Sequence, residues 1–196
     1  MAVNKLNDTC RGYNVRLPYP LIVKVTNLLV TGRPGVGKTT LVERVVKSLN
    51  VPVGGFYTRE IRDRDRRVGF SLSTWEGRSG IMSHVDFDSS FRVGKYGVNI
   101  QVVDNIGVPA IHDAMAVGKL IVIDELGRME LFSEKFQQAV AEALDSEVPL
   151  LGAIQERPHP FLDKIRQRPD VELISITLEN RDALVRDLGE RLGVKG

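Results

Sequence analysis

The stretch Asn27-Leu28-Leu29-Val30-Thr31-Gly32-Arg33-Pro34-Gly35-Val36-Gly37-Lys38-Thr39-Thr40 decides the fold. Residues 26–31 form an apolar, β-branched run that predicts a buried strand. Residues 22–25 either extend it or form a strand of their own. Gly32 to Thr39 then satisfies G-x-x-x-x-G-K-[ST] at every fixed position. Glycines let consecutive backbone N–H groups turn inward on an anion. Behind the loop, Leu41, Val42, Val45, Val46 and Leu49 recur at helical spacing. A helix there presents its N-terminus, the positive end of its dipole, to the same anion. Strand, glycine loop and amphipathic helix together predict a phosphate-binding loop. Lys38 is assigned to the β- and γ-phosphates and the Thr39 hydroxyl to a Mg²⁺ ion. Gly32, Arg33, Pro34, Gly35, Val36, Gly37 and Thr40 complete the nucleotide-binding set.

Downstream, Leu120-Ile121-Val122-Ile123-Asp124-Glu125 is an apolar strand closing on two acids. An Asp in this position holds Mg²⁺ in phosphate-loop enzymes. An adjacent acid can take a proton from an attacking water. Asp124 is therefore the second metal-site residue and Glu125 the candidate general base. The pair points to hydrolysis by water.

Between these landmarks, residues 53–61, 68–75 and 81–85 have strand character, and a fourth strand is expected near 98–103. The charged residues 62–67 suit a hairpin tip. The segment 53–103 is thus a β-rich insertion, expected to lie over the nucleotide. Helices are expected at 105–117, after Ser133, at 160–168 and at 181–192, with strands at 148–154 and 171–177. Phe136, Ala139, Val140, Ala143 and Leu144 form the core stripe of the second helix. This alternation predicts a mostly parallel α/β sheet flanked by helices. Residues 1–20 read as an N-terminal extension and 21–196 as one nucleotide-binding domain.

Bulk properties narrow the partners. The chain has 196 residues, with 27 Lys and Arg against 25 Asp and Glu. A net charge of +2 is too small to argue for a nucleic-acid or membrane partner, and neither is expected. One cysteine, Cys10, excludes an internal disulfide and fits a reducing, cytoplasmic setting. No apolar run is long enough to span a membrane. Nothing in the sequence identifies a protein partner.

Several strings resemble the thermophile-type nucleoside-triphosphatase family, which has a human cancer-related member. Beside the phosphate loop they are Gly54-Gly55-Phe56-Tyr57-Thr58-Arg59-Glu60, Val93-Gly94-Lys95-Tyr96-Gly97-Val98, Asp124-Glu125-Leu126-Gly127-Arg128-Met129-Glu130-Leu131 and Thr177-Leu178-Glu179-Asn180-Arg181. The resemblance implies a RecA-like phosphate-loop fold. It also implies broad-specificity hydrolysis of ATP, GTP and other nucleoside triphosphates to diphosphates. Arg128 stands where this family is expected to carry Lys. The first 20 or so residues have no counterpart in it.

Further candidates follow from position. Arg59 and Arg128 are each placed to neutralise charge on the transferring phosphate. Asn180 and Arg181 either cap the last helix or contact the nucleotide. Gln155 can sense the γ-phosphate, and Lys95 and Tyr96 either line the cleft or form a turn. His84, His112 and His159 lack metal-ligand spacing. Two other functions stay open. A small-molecule or nucleotide kinase would use residues 155–168, with Arg157, Arg166 and Arg168, as its lid. A regulatory nucleotide switch acting on a partner protein or nucleic acid would draw on the basic cluster of Arg59, Arg62, Arg64, Arg66 and Arg67.

Overall fold

The computed structural model describes residues 27–192. The expected extension over 1–20, the segment 22–25 and Cys10 lie outside the described residues. One nine-stranded sheet runs through the molecule in the order β5-β6-β4-β3-β2-β7-β8-β1-β9. Its strands are β1 (Asn27–Thr31), β2 (Val53–Asp63), β3 (Arg66–Thr74), β4 (Ser79–His84), β5 (Arg92–Val93), β6 (Tyr96–Val98), β7 (Leu120–Leu126), β8 (Leu150–Ile154) and β9 (Val171–Ser175). The five strands from β2 to β9 in that order pair in parallel. From β2 to β5 all pairing is antiparallel. β8 intervenes between β1 and β7, so the phosphate-loop strand and the Asp-Glu strand are not neighbours.

Within the parallel half the central strands β1, β7 and β8 are buried on both faces, while β9 at the edge is partly exposed. Side chains alternate along each strand, so each face has its own core. Leu28 and Val30 of β1 pack with Leu41, Val42 and Val45 of helix α1 (Lys38–Ser48) and Leu188 of α6 (Arg181–Leu192). Leu29, one residue out of phase, joins Ile121, Ile123 and Leu150 against the opposite layer. That layer includes α3 (Val108–Ala116), α4 (Glu134–Asp145) and α5 (Pro160–Arg166). The α4 stripe read from sequence is wholly buried, and Ser133 caps the helix by accepting a 3.0 Å bond from the Phe136 N–H.

Two expectations for the middle of the chain need correction. A strand over 98–103 does not form. β6 ends at Val98, and Asn99 caps a helical run that begins with α2 (Ile100–Val102). The run continues through a π-helical turn, Val103–Gly107, into α3. The apolar, β-branched residues suggest a strand, but the Asn99 cap and burial of Val103 against the sheet decide for helix. The helix thus starts before residue 105. The β-rich segment, secondly, extends the sheet in its own plane. β2 itself belongs to the parallel sheet over its first four residues, Val53↔Leu120 to Phe56↔Ile123. Only then does it overhang and turn back through Arg64 and Asp65 into β3. β3 to β6 therefore lie on the side of β2 away from β1 and its loop.

Gly54-Gly55 makes the joint between β2 and β7 possible. Gly55 has φ +94°, and a Cβ there would lie 2.3 Å from the Val122 carbonyl oxygen. A side chain at Gly54 would meet Ala114 of α3 at 2.6 Å. Larger residues would push β2 away from both partners.

Candidate active site

The phosphate loop turns at Gly35 (φ +80°) and Gly37 (φ +105°), left-handed conformations that favour glycine. Gly37 is also the N-cap of α1, and no side chain caps this end. The first-turn N–H groups are thus free of side-chain acceptors and polarised toward an anion. Lys38 Nζ donates to the Gly32 carbonyl at 3.0 Å and lies 3.9 Å from Glu125 Oε1. Helix α1 and strand β7 thereby bring the Lys38 and Glu125 side chains together.

The strand does not close on the two acids: β7 continues to Leu126, so Asp124 and Glu125 both fall inside it. Neighbouring strand residues would ordinarily face opposite sides of the sheet. Here the β7–β8 register shifts between Ile123↔Gly152 and Leu126↔Ile154, so β7 carries one extra residue. Such a bulge re-aims side chains, and it sits at the acid pair. Asp124 is only 2% exposed. Its Oδ2 accepts from the Thr58 N–H at 3.2 Å and the Thr58 hydroxyl at 2.9 Å, while Oδ1 is buried without a partner. Burial pushes the carboxyl above the usual range, opposed by Thr58, by the neighbouring Thr39 hydroxyl and by Arg59. Burial also raises Glu125; Lys38 opposes that and Asp124 adds to it.

A third carboxyl joins them. Glu130 lies in a 3₁₀ turn, Glu130–Phe132, and is buried. Its Oε2 packs on Gly127, where an added Cβ would be 2.9 Å from it and 3.3 Å from Glu125 Cγ. Burial, reinforced by Glu125 and Asp124, pushes Glu130 up to about 8. Sequence reasoning gives neither Thr58 nor Glu130 a role. Their signals are a polar residue in a strand and an acid set between Met129 and Leu131.

The remaining candidates divide by surroundings. Gly32, Arg33, Pro34, Gly35 and Val36 line a cleft of about 590 Å³ whose other wall is Glu156 and Ser175, Ile176, Thr177, Leu178 and Glu179. Thr40 and Arg181 border a smaller recess beside Gly37. Asn180 is engaged in its own loop: Oδ1 accepts from the Thr177 N–H at 2.8 Å and Nδ2 donates to the Ser175 carbonyl at 2.9 Å. It shapes the cleft wall through the backbone. Arg59 pairs with Glu43 of α1 and stacks 4.4 Å from the Tyr57 ring centroid. Arg128 is exposed in the turn after Gly127.

Other candidates are occupied elsewhere. Lys95 and Tyr96 brace Arg67 in the antiparallel half, at 3.1 and 3.0 Å. Gln155 follows β8, its N–H bonded to the Leu126 carbonyl, beside the end of β7. His159 caps α5, and His112 lies 3.1 Å from Glu142. Of the three arginines of the expected kinase lid, Arg157 is exposed, whereas Arg166 is held by Asp163 and the Gln155 carbonyl and Arg168 by Asp145 and Asp170. In the basic cluster, Arg62 and Arg67 both pair with Glu60. No helix among the described residues is long and apolar enough to cross a membrane.

Comparison with known proteins agrees with this architecture. A family model described as NTPase matches residues 27–188. The nucleoside-triphosphatase THEP1 of Thermotoga maritima is 41% identical over 161 residues, 82% of this chain and 92% of that protein. The crystal structure of THEP1 from Aquifex aeolicus superposes with a TM-score of 0.79 at 39% identity, covering 86% of this chain and 99% of that one. The solution structure of a human cancer-related nucleoside triphosphatase gives a TM-score of 0.74 at 37% identity, covering 85% and 96%. With its phosphate loop, its bulged Asp-Glu strand and these relatives, the chain belongs to the NTPase family and has that family's α/β phosphate-loop fold.

Proposed function

We propose that this protein hydrolyses nucleoside triphosphates to diphosphate and phosphate, in the presence of Mg²⁺ and with broad tolerance of the base. The observation that carries the reading is Glu125 Oε1 at 3.9 Å from Lys38 Nζ on a phosphate loop. Lys38 and the N–H groups at the start of α1 bind the β- and γ-phosphates. Glu125, half-buried and raised above an ordinary carboxylate, is the stronger base for it. It accepts a proton as water oxygen bonds to the γ-phosphorus. The bond from that phosphorus to the β–γ bridging oxygen breaks, and its electron pair leaves with the diphosphate. Arg59 or Arg128 serves the charge that builds on the phosphate oxygens.

Asp124 Oδ1 is a buried carboxylate oxygen with no partner, beside Thr39. That donor pair fits Mg²⁺, which favours one or two protein ligands completed by phosphate oxygens and water. Among the described residues no three His, Cys, Asp or Glu side chains group into a closed metal cage. When bound, Mg²⁺ supplies positive charge at the phosphates. Support for broad specificity comes from the cleft wall. It offers the exposed apolar Leu178 and a loop held by its own hydrogen bonds. Contact of this kind does not discriminate one base edge from another. Ion pairs occupy Arg166 and Arg168 and leave Arg157 alone of the three candidate lid arginines exposed, which weakens the kinase reading.

A panel of ribo- and deoxynucleoside triphosphates, assayed for phosphate and diphosphate with Mg²⁺ and with excess EDTA, tests the proposal. Release of phosphate from several bases without any acceptor, abolished by EDTA, is expected. Turnover that needs an added acceptor, or that is undiminished in EDTA, would overturn it.

A further inference from the structure

We infer that Thr58 is a positioning residue for the metal-facing carboxylate: it holds one oxygen of Asp124 so that the other stays free for the cation. The inference rests on the reading of Asp124 as a Mg²⁺ residue. It starts from an unusual division of labour on one side chain. Asp124 Oδ2 receives two donors from the same residue, the backbone N–H and the hydroxyl of Thr58. Oδ1 is buried and receives none. Buried carboxylate oxygens are nearly always paired, because leaving one bare costs free energy. Two donors converging from one residue fix rotation of the carboxylate about its Cβ–Cγ bond, so the bare oxygen is held in one direction.

The backbone explains why Thr58 is available. The parallel β2–β7 ladder ends at Phe56↔Ile123, and the bulge in β7 follows at once. Beyond that point the Thr58 N–H donates to the Asp124 side chain. On its other edge Thr58 is paired with Leu72 of β3, which fixes its height along the strand. The next residue, Arg59, is tied to Glu43 of α1, the helix that also carries Thr39. β2 is therefore tied at Thr58 to β7 and at Arg59 to α1, the two elements bearing the cation-binding groups.

Thr58→Val removes the hydroxyl donor but keeps the shape and the backbone donor; Thr58→Ala repeats the test without the methyl groups. Thr58→Ser restores the hydroxyl. Mn²⁺ binding is followed by electron paramagnetic resonance with a non-hydrolysable triphosphate analogue. Analogue affinity in EDTA and thermal unfolding are measured beside it. Removing an outer-shell partner usually weakens metal affinity by roughly 10- to 100-fold. A loss of about tenfold is expected for Thr58→Val and Thr58→Ala, because the backbone donor remains. Thr58→Ser should stay close to wild type, and analogue affinity in EDTA should not change. Asp124→Asn, run in parallel, separates the two levels. If it loses Mn²⁺ while Thr58→Val does not, Asp124 is the metal residue and the Thr58 inference falls. Equal losses in Thr58→Ser and Thr58→Val would also overturn it, since the hydroxyl would not be the orienting group. If Asp124→Asn binds Mn²⁺ normally, the reading of Asp124 itself fails and takes the inference with it.

Discussion

The parallel and antiparallel halves of this sheet are built on different principles. β1, β7 and β8 are apolar along nearly their whole length and buried on both faces. Apart from Asn27 at the start of β1, their polar groups sit where the strands stop being regular, at the loop after β1 and the bulge in β7. β3 and β4 mix buried and exposed positions, and their polar side chains hold one another. Arg67 typifies the antiparallel half, bonding Tyr96 and Glu60 while stacking on Phe70 and Tyr96. The candidate reactive groups come from the parallel half, and the other half steadies the strand they share. β2 belongs to both, and Thr58 and Arg59 lie just past the crossover.

The largest effect is expected at the acid pair. Glu125→Gln should bind nucleotide about as well as wild type but hydrolyse it at least roughly a hundredfold more slowly, the scale of a lost general base. Lys38→Ala should lose both affinity and turnover. Phosphate-release rates beside analogue affinities separate the two, and near-normal turnover in a folded Glu125→Gln protein would place water activation elsewhere.

The joint between the halves comes next. Gly55→Ala places a methyl group against the Val122 carbonyl in a left-handed conformation. It should destabilise the fold by about 2–4 kcal/mol and lower turnover more than that loss of folded protein explains. Urea unfolding with assays on the folded fraction checks both.

Glu130 makes the stability of the parallel half depend on pH. Its carboxyl is raised from an ordinary value of 4.5 to about 8. Above pH 4.5 the unfolded chain releases a proton that the folded state keeps. Stability therefore falls as pH rises through this window and levels off above about 8. Glu130→Gln should remove that slope, so its advantage over wild type grows from about pH 5 to about pH 8, by at most ~1.4 kcal/mol per pH unit. Parallel stability curves for the two proteins would show that Glu130 ionises normally.

The smallest effect belongs to the antiparallel half. Arg67→Ala should cost about 1 kcal/mol, since the Arg67–Glu60 ion pair is solvent-exposed, and leave hydrolysis unchanged. A matching fall in turnover would show that the two halves are not separable.

What could be read from sequence follows the same division. The phosphate loop was legible because its chemistry is local: strand, glycines and helix lie within one short stretch. β1, β7 and β8 were legible as apolar runs. β2 reads as part of the insertion because Gly54-Gly55 and the charged tip obscure its opening stretch of parallel pairing. Asn99 and the Val98–Val103 stretch mislead because β-branched residues suit a strand until burial decides. The bulge beneath Asp124 and Glu125 was invisible, since a register shift belongs to two strands at once. Glu130 and Thr58 acquire meaning only from neighbours that folding brings to them.

The bond between Thr58 and Asp124 spans 66 residues of chain, and that separation bears on the order in which the molecule assembles. β2, β3 and β4 are joined by short turns and can pair early, whereas β2 meets β7 only after a long loop closes. Long closures carry the larger entropic cost and come late. In pulsed hydrogen exchange during refolding, amides of the β2–β3 hairpin should gain protection before those that β7 offers to β2. The site would then be completed in the last stages of folding, so a chain that has its hairpin but not its β2–β7 seam would be largely folded and without activity.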